Sequence, residues 1–132
     1  MENRKKFLVS LELKDKKKAI GFSYAWNGMK HVLGTEKNFR IHLLAATLVI
    51  FFAFLFQLSQ VEWGLIFLVI GFVLVSEMTN TAIEKLIDYL KPEIHPSAKI
   101  IKDIAAAAVL TSAIIAVIIG LIIFLPKIYN FI

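Results

Sequence analysis

The fold is decided by residues 63–88, which read WGLIFLVIGFVLVSEMTNTAIEKLID. The first half, 63–75, carries no charge, whereas the second half contains Glu77, Glu84 and Asp88. A helix needs about 20 apolar residues to cross a bilayer, so the uncharged half is too short to do so alone. The stretch therefore predicts one helix that crosses a membrane only by continuing into its charged half.

The polar residues of this helix share one face. At 100° per residue they fall within a stripe that is about 100° wide. The stripe consists of Glu77, Asn80, Thr81, Glu84 and Asp88. Because the charges point in one direction, we interpret them as a functional face rather than as the irregular end of a helix.

The depth of Glu77 in the membrane is unusual for a carboxylate. If Trp63 marks the outer interface, Glu77 lies about 21 Å inward, inside a hydrocarbon core about 30 Å thick. Glu84, about 31 Å inward, lies at the inner boundary. A carboxylate at the bilayer centre costs about 2.5–3.5 kcal/mol and generally has a partner or a use. Solvation at a helix end explains Asp88 better than Glu77, so we predict a function for Glu77.

The composition is that of a small membrane protein. The 132 residues are 58% hydrophobic, with a mean hydropathy of +0.74, which is too apolar for an ordinary soluble domain. The absence of cysteine excludes disulfides, thiolate metal sites and cysteine nucleophiles. We predict an all-α integral membrane protein with a single membrane domain over 1–132. Its predicted parts are a basic arm and surface helix over 1–40 and transmembrane helices over about 41–58, 63–90 and 98–125.

The basic residues indicate how the helices are oriented. Ten of the fifteen Lys and Arg residues lie in the first 40 positions, and four lie from Lys85 to Lys102. The link between the first two spans, 59–62, has none. The positive-inside rule therefore predicts a cytoplasmic N-terminus, a cytoplasmic second link and an outside C-terminus. A basic block beside apolar spans also favours a membrane surface over nucleic acid as its partner.

A helix on the membrane surface is predicted before the first span. Phe22, Trp26, Met29 and Leu33 are spaced by three or four residues and therefore share one face. Beside a membrane span, this pattern favours an amphipathic helix on the inner leaflet. The alternative is that the same face packs against protein.

Small residues recur every four positions along the third span, at Ala108, Ser112, Ala116 and Gly120. This spacing lets helices approach closely in a membrane. Because three helices enclose too little space for a buried active site, we expect an oligomer with its sites between subunits.

The acidic stripe suits a Mg²⁺-dependent reaction on a phosphate. Magnesium binds one or two carboxylates together with phosphate oxygens, and Lys17 and Lys102 are available as cations for the phosphates. The sequence has no P-loop, so a kinase built from it needs another fold.

A small proton-coupled transporter is an alternative function, although the first and third spans have no ionisable residue in their interiors. A non-catalytic membrane scaffold is a second alternative, but a scaffold does not require the polar residues of 77–88 to share one helix face.

Several motifs resemble the small prokaryotic diacylglycerol kinase family. Residues 77–88 fit the pattern E-x-x-N-[ST]-A-I-E-x-x-x-D, residues 102–103 (KD) open an Ala-rich helix, and residues 36–40 (EKNFR) precede the first span. The resemblance covers nearly the whole chain, from about residue 17 to residue 125. It implies an ATP- and Mg²⁺-dependent lipid kinase in the plasma membrane of a bacterium. It also implies a homotrimer whose active sites are shared between neighbouring subunits at the cytoplasmic interface.

The resemblance assigns roles to individual residues. Glu77 matches the general base that takes the proton from the lipid hydroxyl, and Glu36 and Glu84 match the carboxylates that hold the divalent metal on ATP. The other matched positions lie around the nucleotide and its phosphates, and they are Tyr24, Asn80, Glu93, His95, Lys102 and Asp103. Lys17 falls where the family often has Arg, and Lys cannot reproduce a bidentate Arg contact.

Three segments resemble the Gram-positive branch of this family, whose members act on undecaprenol. They are residues 35–46 (TEKNFRIHLLAA), 62–71 (EWGLIFLVIG) and 118–127 (IIGLIIFLPK). His42 stands where other members have Glu, and we otherwise predict an interfacial role for it. We expect undecaprenol as the lipid alcohol, with diacylglycerol as the alternative, since both present one primary hydroxyl at the interface.

Overall fold

The computed structural model describes residues 2–16 and 21–132, with side chains described for 2–10 and 21–132. Its elements are five helices: α1 (Glu2–Lys16), α2 (Phe22–Thr35), α3 (Lys37–Leu55), α4 (Gln60–Leu90) and α5 (Pro96–Phe131). The described ranges contain no strand, which confirms the all-α class. The chain forms two units, Met1–Thr35 and Glu36–Ile132.

The first unit contains α1 and α2. Helix α2 begins at Phe22, the first residue of the predicted amphipathic face, and the Lys30 ammonium lies 5.8 Å from the centre of the Trp26 ring. Phe22 and Trp26 are both exposed, as a helix that binds a lipid surface requires. The N-terminal arm is itself helical over α1, where the sequence predicted only a basic segment.

The second unit contains three helices that are long and apolar enough to cross a membrane, α3, α4 and α5. Helix α4 runs without interruption through 63–88, and its 31 residues measure about 46 Å, well beyond the hydrocarbon thickness. Helix α5 continues through Pro126 to Phe131, past the predicted end at 125. Proline lacks a backbone N–H but has a helical φ, so membrane helices often continue through it.

The α3–α4 end of the unit is fixed by a short turn and an ion pair. Gln57, with a φ of 52°, turns the chain after α3, and Ser59 begins α4 in a capping box with Glu62. The Glu62 carboxylate also lies 3.0 Å from the Lys127 ammonium near the end of α5. A small core packs beside this turn, formed by Ala53, Leu58, Ile66 and Ile123. From here α4 and α5 run side by side to the end that carries the polar stripe.

Candidate active site

Glu77 lies on the buried face of α4, with only 5% of its side chain exposed. It is preceded by Val73 and followed by Thr81, and all three are buried because residues four apart share one helix face. The same periodicity that packs α4 against its neighbours thus turns the carboxylate inward. A carboxylate in such a place needs a hydrogen-bonding partner, because desolvation of its charge is costly.

His42 in the second turn of α3 is that partner. Its Nε2 lies 3.2 Å from Oε1 of Glu77, which is within hydrogen-bonding distance. The imidazole is itself largely covered, with 28% of the side chain exposed. The contact joins α3 to α4 directly at the carboxylate that the sequence singled out.

Two more carboxylates lie around Glu77. Glu36, at the N-cap position of α3, and Glu84, two turns further along α4, are near enough for their charges to act on Glu77. The Lys85 ammonium lies 3.7 Å from Oε1 of Glu36. We call Glu36, Glu77 and Glu84 the acidic cluster. Two helices build it, with a histidine and a lysine at its edge.

Asn80 lies on α4 between Glu77 and Glu84. Its Oδ1 is buried, and it has no hydrogen-bond partner among the described residues. Leaving a buried acceptor unpaired costs about 1–3 kcal/mol, so such an atom calls for an explanation, often a bound group or water. The position of this oxygen within the stripe makes it a candidate contact for a ligand of the acidic cluster.

A polar cavity of about 390 Å³ lies at the turn between α4 and α5. Its polar lining comes from both helices and from the turn, and consists of Asp88, Lys91, Glu93, His95, Lys99, Lys102 and Asp103. The local chemistry of the turn shapes this lining. His95 is the N-cap of α5, where its Nδ1 accepts a hydrogen bond of 3.2 Å from the Ser97 backbone N–H, and Pro96 occupies the first turn.

Lys102 connects the polar cavity to the acidic stripe. Its Nζ donates a 2.8 Å hydrogen bond to Oδ1 of Asp88, and its charge also acts on Glu84. Asp103, the next residue, pairs with Lys99 one turn earlier on α5. Lys102 of α5 thus faces the end of the acidic stripe on α4, and a lysine in this position can also hold the negative charge of a phosphate group.

An apolar cavity of about 280 Å³ is lined in part by His42. Helices α3, α4 and α5 all line it, with small side chains such as Ala46, Ala116 and Gly120 beside larger aliphatic ones. His42 is its only titratable lining residue in the described ranges. The predicted small-residue face of α5 therefore packs partly inside the subunit: Ala116 and Gly120 line this cavity, and Ser112 is buried.

The site offers oxygen atoms of the kind that a nucleotide-bound metal ion uses as ligands. Within 21–132 and the described part of α1, no three His, Asp or Glu side chains are grouped to hold a metal by themselves. Mg²⁺ commonly uses one or two carboxylates and completes its octahedron with phosphate oxygens and waters. Two carboxylates, Glu36 and Glu84, together with the unpaired oxygen of Asn80 are consistent with that donor set.

The structure brings most of the predicted site residues into two adjoining places. Glu36, Glu77 and Glu84 form the acidic cluster. The polar cavity takes in four more predicted residues, namely Glu93, His95, Lys102 and Asp103. Tyr24 belongs to the first unit, Met1–Thr35, and the acidic cluster and the polar cavity belong to the second. Lys17 lies outside the described residues.

Two residues at the site were not predicted from the sequence as site residues. His42 was expected to be interfacial, but it contacts Glu77. Lys85, eight residues after Glu77, lies about 80° from it on the helix and so borders the stripe, a signal that the sequence already held. For His42 the available signal was its place two residues after Arg40, at a position where the resembled family has an acid.

Known proteins are similar to this chain over most of its length. The family described as prokaryotic diacylglycerol kinase matches residues 23–124. An undecaprenol kinase from Bacillus subtilis is 47% identical over 106 residues, which are 80% of this chain and 86% of that protein. A diacylglycerol kinase from Synechocystis is 38% identical over 84% of this chain and 64% of its own length. A diacylglycerol kinase from Escherichia coli K12 is 32% identical over 76% of this chain and 81% of its own length.

Proposed function

Because this chain belongs to the prokaryotic diacylglycerol kinase family and is a lipid kinase, we propose that it transfers the γ-phosphoryl group of ATP to the primary hydroxyl of undecaprenol. The observation that carries the proposal is the position of Glu77. Its carboxylate is buried, it belongs to the acidic cluster, and it contacts His42, which also lines the apolar cavity. A lipid alcohol and a water-soluble phosphate donor can meet at such a place.

Glu77 acts as the general base in the proposed reaction. Its carboxylate takes the proton of the acceptor hydroxyl while the oxygen of that hydroxyl attacks the γ-phosphorus. The bond between the γ-phosphorus and the bridging oxygen breaks, and ADP leaves with that oxygen. Phosphoryl transfer needs little covalent help from a protein, so the remaining residues contribute by positioning and by neutralising charge.

Glu36, Glu84 and Asn80 are the residues that would hold the metal of the nucleotide. A bound Mg²⁺ supplies neutralisation of the phosphate oxygens and helps to orient them. Lys102 approaches the phosphates from α5, next to Asp103, and Glu93 and His95 contact the nucleotide in the polar cavity. Tyr24 and Lys17 complete the proposed nucleotide contacts on the basis of the family resemblance.

The substrate proposal rests on the likeness to the undecaprenol kinase of Bacillus subtilis, whose identity to this chain is 47%, against 32–38% for the diacylglycerol kinases. The apolar cavity is compatible with a hydrocarbon chain whose hydroxyl end lies at His42. Both candidate acceptors present a primary hydroxyl, so the discrimination must come from the rest of the acceptor, which is a plain hydrocarbon chain in undecaprenol and carries two ester groups in diacylglycerol.

We expect the purified protein in mixed micelles with MgATP to phosphorylate undecaprenol with a kcat/KM about 10-fold or more above that for diacylglycerol, a ratio within the range of hydrophobic discrimination. Transfer of labelled γ-phosphate into extracted lipid measures both rates. The rate measured with an identically prepared Glu77→Gln protein gives the background from contaminating kinases, which is subtracted. Equal rates or a preference for diacylglycerol would reject the proposed acceptor while leaving the phosphotransfer mechanism in place.

The multi-pass chain is proposed to lie in the bacterial plasma membrane with its N-terminus and the α4–α5 turn in the cytoplasm. The support is the charge distribution, with ten of fifteen Lys and Arg residues in the first 40 positions and four from Lys85 to Lys102. The C-terminus is then outside. This orientation places the polar cavity on the side where ATP is available.

We also propose that the protein works as a homotrimer with active sites shared between subunits. Much of the second unit's apolar surface is exposed, and Asp88 and Lys102 of the site are only partly covered by their own subunit. Light scattering of the detergent-solubilised protein, corrected for bound detergent, should give a protein mass of about three chains. A monomer that retains full activity would contradict the shared site.

A further inference from the structure

The contact between His42 and Glu77 goes beyond the roles that the family resemblance supplies. We propose that His42 is a positioning residue for the phosphoryl transfer: its Nε2–H donates to Oε1 of Glu77 and leaves Oε2 directed at the acceptor hydroxyl. The inference rests on the proposed role of Glu77 as base and adds a second residue to that role.

The geometry requires one defined partner for Glu77. The carboxylate is 5% exposed, so water reaches it poorly, and Nε2 of His42 is the polar atom recorded at hydrogen-bonding distance, 3.2 Å. A carboxylate has two oxygens and about four acceptor sites, so one hydrogen bond fixes its plane without using its capacity as a base. The imidazole thereby selects which oxygen faces the substrate.

The surroundings of the pair determine what the histidine can do. The groups that act on Glu77 are His42 and the carboxylates of Glu84 and Glu36, so His42 is the group that can donate a hydrogen bond among them. Without it, the buried carboxylate would lose the donor that compensates its desolvation and would face only like charges. His42 thus compensates the burial of Glu77 through a hydrogen bond, which a neutral imidazole can donate.

The place of His42 in the fold suits a residue that acts at the acceptor. It lies in the second turn of α3, whose first residues follow Glu36, and it also lines the apolar cavity. The side chain therefore touches the base on one side and borders the space proposed for the hydrocarbon chain on the other. An acceptor hydroxyl entering along that cavity would meet the Glu77–His42 pair before it met the phosphate donor.

His42 neither gains nor loses a proton in the proposed step. The acceptor O–H bond breaks and its proton forms a bond to Oε2 of Glu77, while the new bond forms between the acceptor oxygen and the γ-phosphorus. His42 keeps its own Nε2 proton throughout and shares it with Oε1. It follows that any side chain able to donate an N–H to the same oxygen should support the reaction.

The test compares His42→Leu with His42→Gln. Leucine fills similar volume but cannot donate, whereas the glutamine amide can donate an N–H to a nearby oxygen. We expect His42→Leu to lower kcat about 10- to 100-fold, as the loss of a hydrogen bond to a charged group does, with the KM for ATP unchanged. His42→Gln should recover most of kcat. Thr47→Val on the same helix is the control, because the Thr47 hydroxyl bonds only to the Leu43 carbonyl at 2.9 Å in the described contacts.

Thermal unfolding in detergent separates a catalytic effect from a loss of folded protein, since kcat is expressed per folded chain. A second readout is the double variant: if His42 acts through Glu77, His42→Leu should have no further effect in the Glu77→Gln background. Three results overturn the inference: normal kcat in His42→Leu, failure of His42→Gln to recover it, or an effect confined to the acceptor KM. The proposed function fails separately, if the unchanged protein with MgATP transfers no phosphate to undecaprenol.

Discussion

The Glu77→Gln protein should transfer phosphate to undecaprenol about 10²- to 10⁴-fold more slowly than the unchanged protein, because a carboxamide cannot accept the hydroxyl proton. The substitution preserves the shape of the side chain, and its Oε1 can still accept from Nε2 of His42 at the observed 3.2 Å. We therefore expect assembly and thermal stability to change little. Steady-state rates at saturating ATP and acceptor measure the loss as a change in kcat.

Glu62→Gln is the matched control for this experiment. It makes the same chemical change on the same helix, but at the end that the capping box and Lys127 occupy. Glutamine also serves at that position of a capping box, so the variant should keep normal turnover with a small loss of stability. Full activity of Glu77→Gln would reject the assignment of the base. Equal losses in both variants would show that the effect is structural rather than catalytic.

The second large effect is expected at Glu84. The Glu84→Gln protein should lose about 10²- to 10³-fold in kcat/KM for MgATP, because the phosphates lose a negatively charged anchor for their metal. Raising the Mg²⁺ concentration should recover part of this loss. The same treatment should not recover the Glu77→Gln protein, since its defect lies in proton transfer.

Binding can be followed without turnover for the Glu84 prediction. Mn²⁺ in place of Mg²⁺, titrated in the presence of ADP and detected by electron paramagnetic resonance, should bind the Glu84→Gln protein more weakly and the Glu77→Gln protein normally. Glu36→Gln should behave like Glu84→Gln. Unchanged Mn²⁺ binding in both of these variants would remove Glu36 and Glu84 from the metal site and direct attention to Asn80, whose Oδ1 is buried and unpaired among the described residues.

The architecture followed from the sequence because its determinants are local. A continuous apolar stretch and a 100° stripe can both be read from short segments of the chain, and the all-α membrane fold they predicted is confirmed. The end of α5 did not follow, because a helix interrupted by Pro126 continues only where its surroundings replace the lost hydrogen bond. Lys127 then forms its ion pair beyond that proline.

The site was predictable where its residues share one helix. Glu77, Asn80 and Glu84 could be grouped from their angles on α4 alone. The contact of His42 could not, because it depends on how α3 and α4 cross, and a single histidine in an apolar segment is equally consistent with an interfacial position. For the same reason the 3.7 Å approach of Lys85 to Glu36 emerged only from the structure.

Two ion pairs join α4 and α5, one near each end of the two helices. They are Glu62–Lys127 and Asp88–Lys102. The two pairs are separated by 26 residues along α4 and by 25 along α5, which is about 38 Å on each helix. If either helix slid by one residue, its charged side chains would shift by about 1.5 Å and rotate by about 100° about the helix axis. The two ion pairs therefore cannot both form in another register.

The two ion pairs limit how α4 and α5 can adapt to the thickness of the bilayer. They lie further apart than the hydrocarbon core is thick, about 30 Å, so both can reach the headgroup regions at once. When the membrane becomes thinner or thicker, the tied helices must respond by tilting together rather than by slipping past each other. We therefore expect the height of Glu77 relative to the lipid surface to depend on this tilt, and the activity to change with lipid chain length.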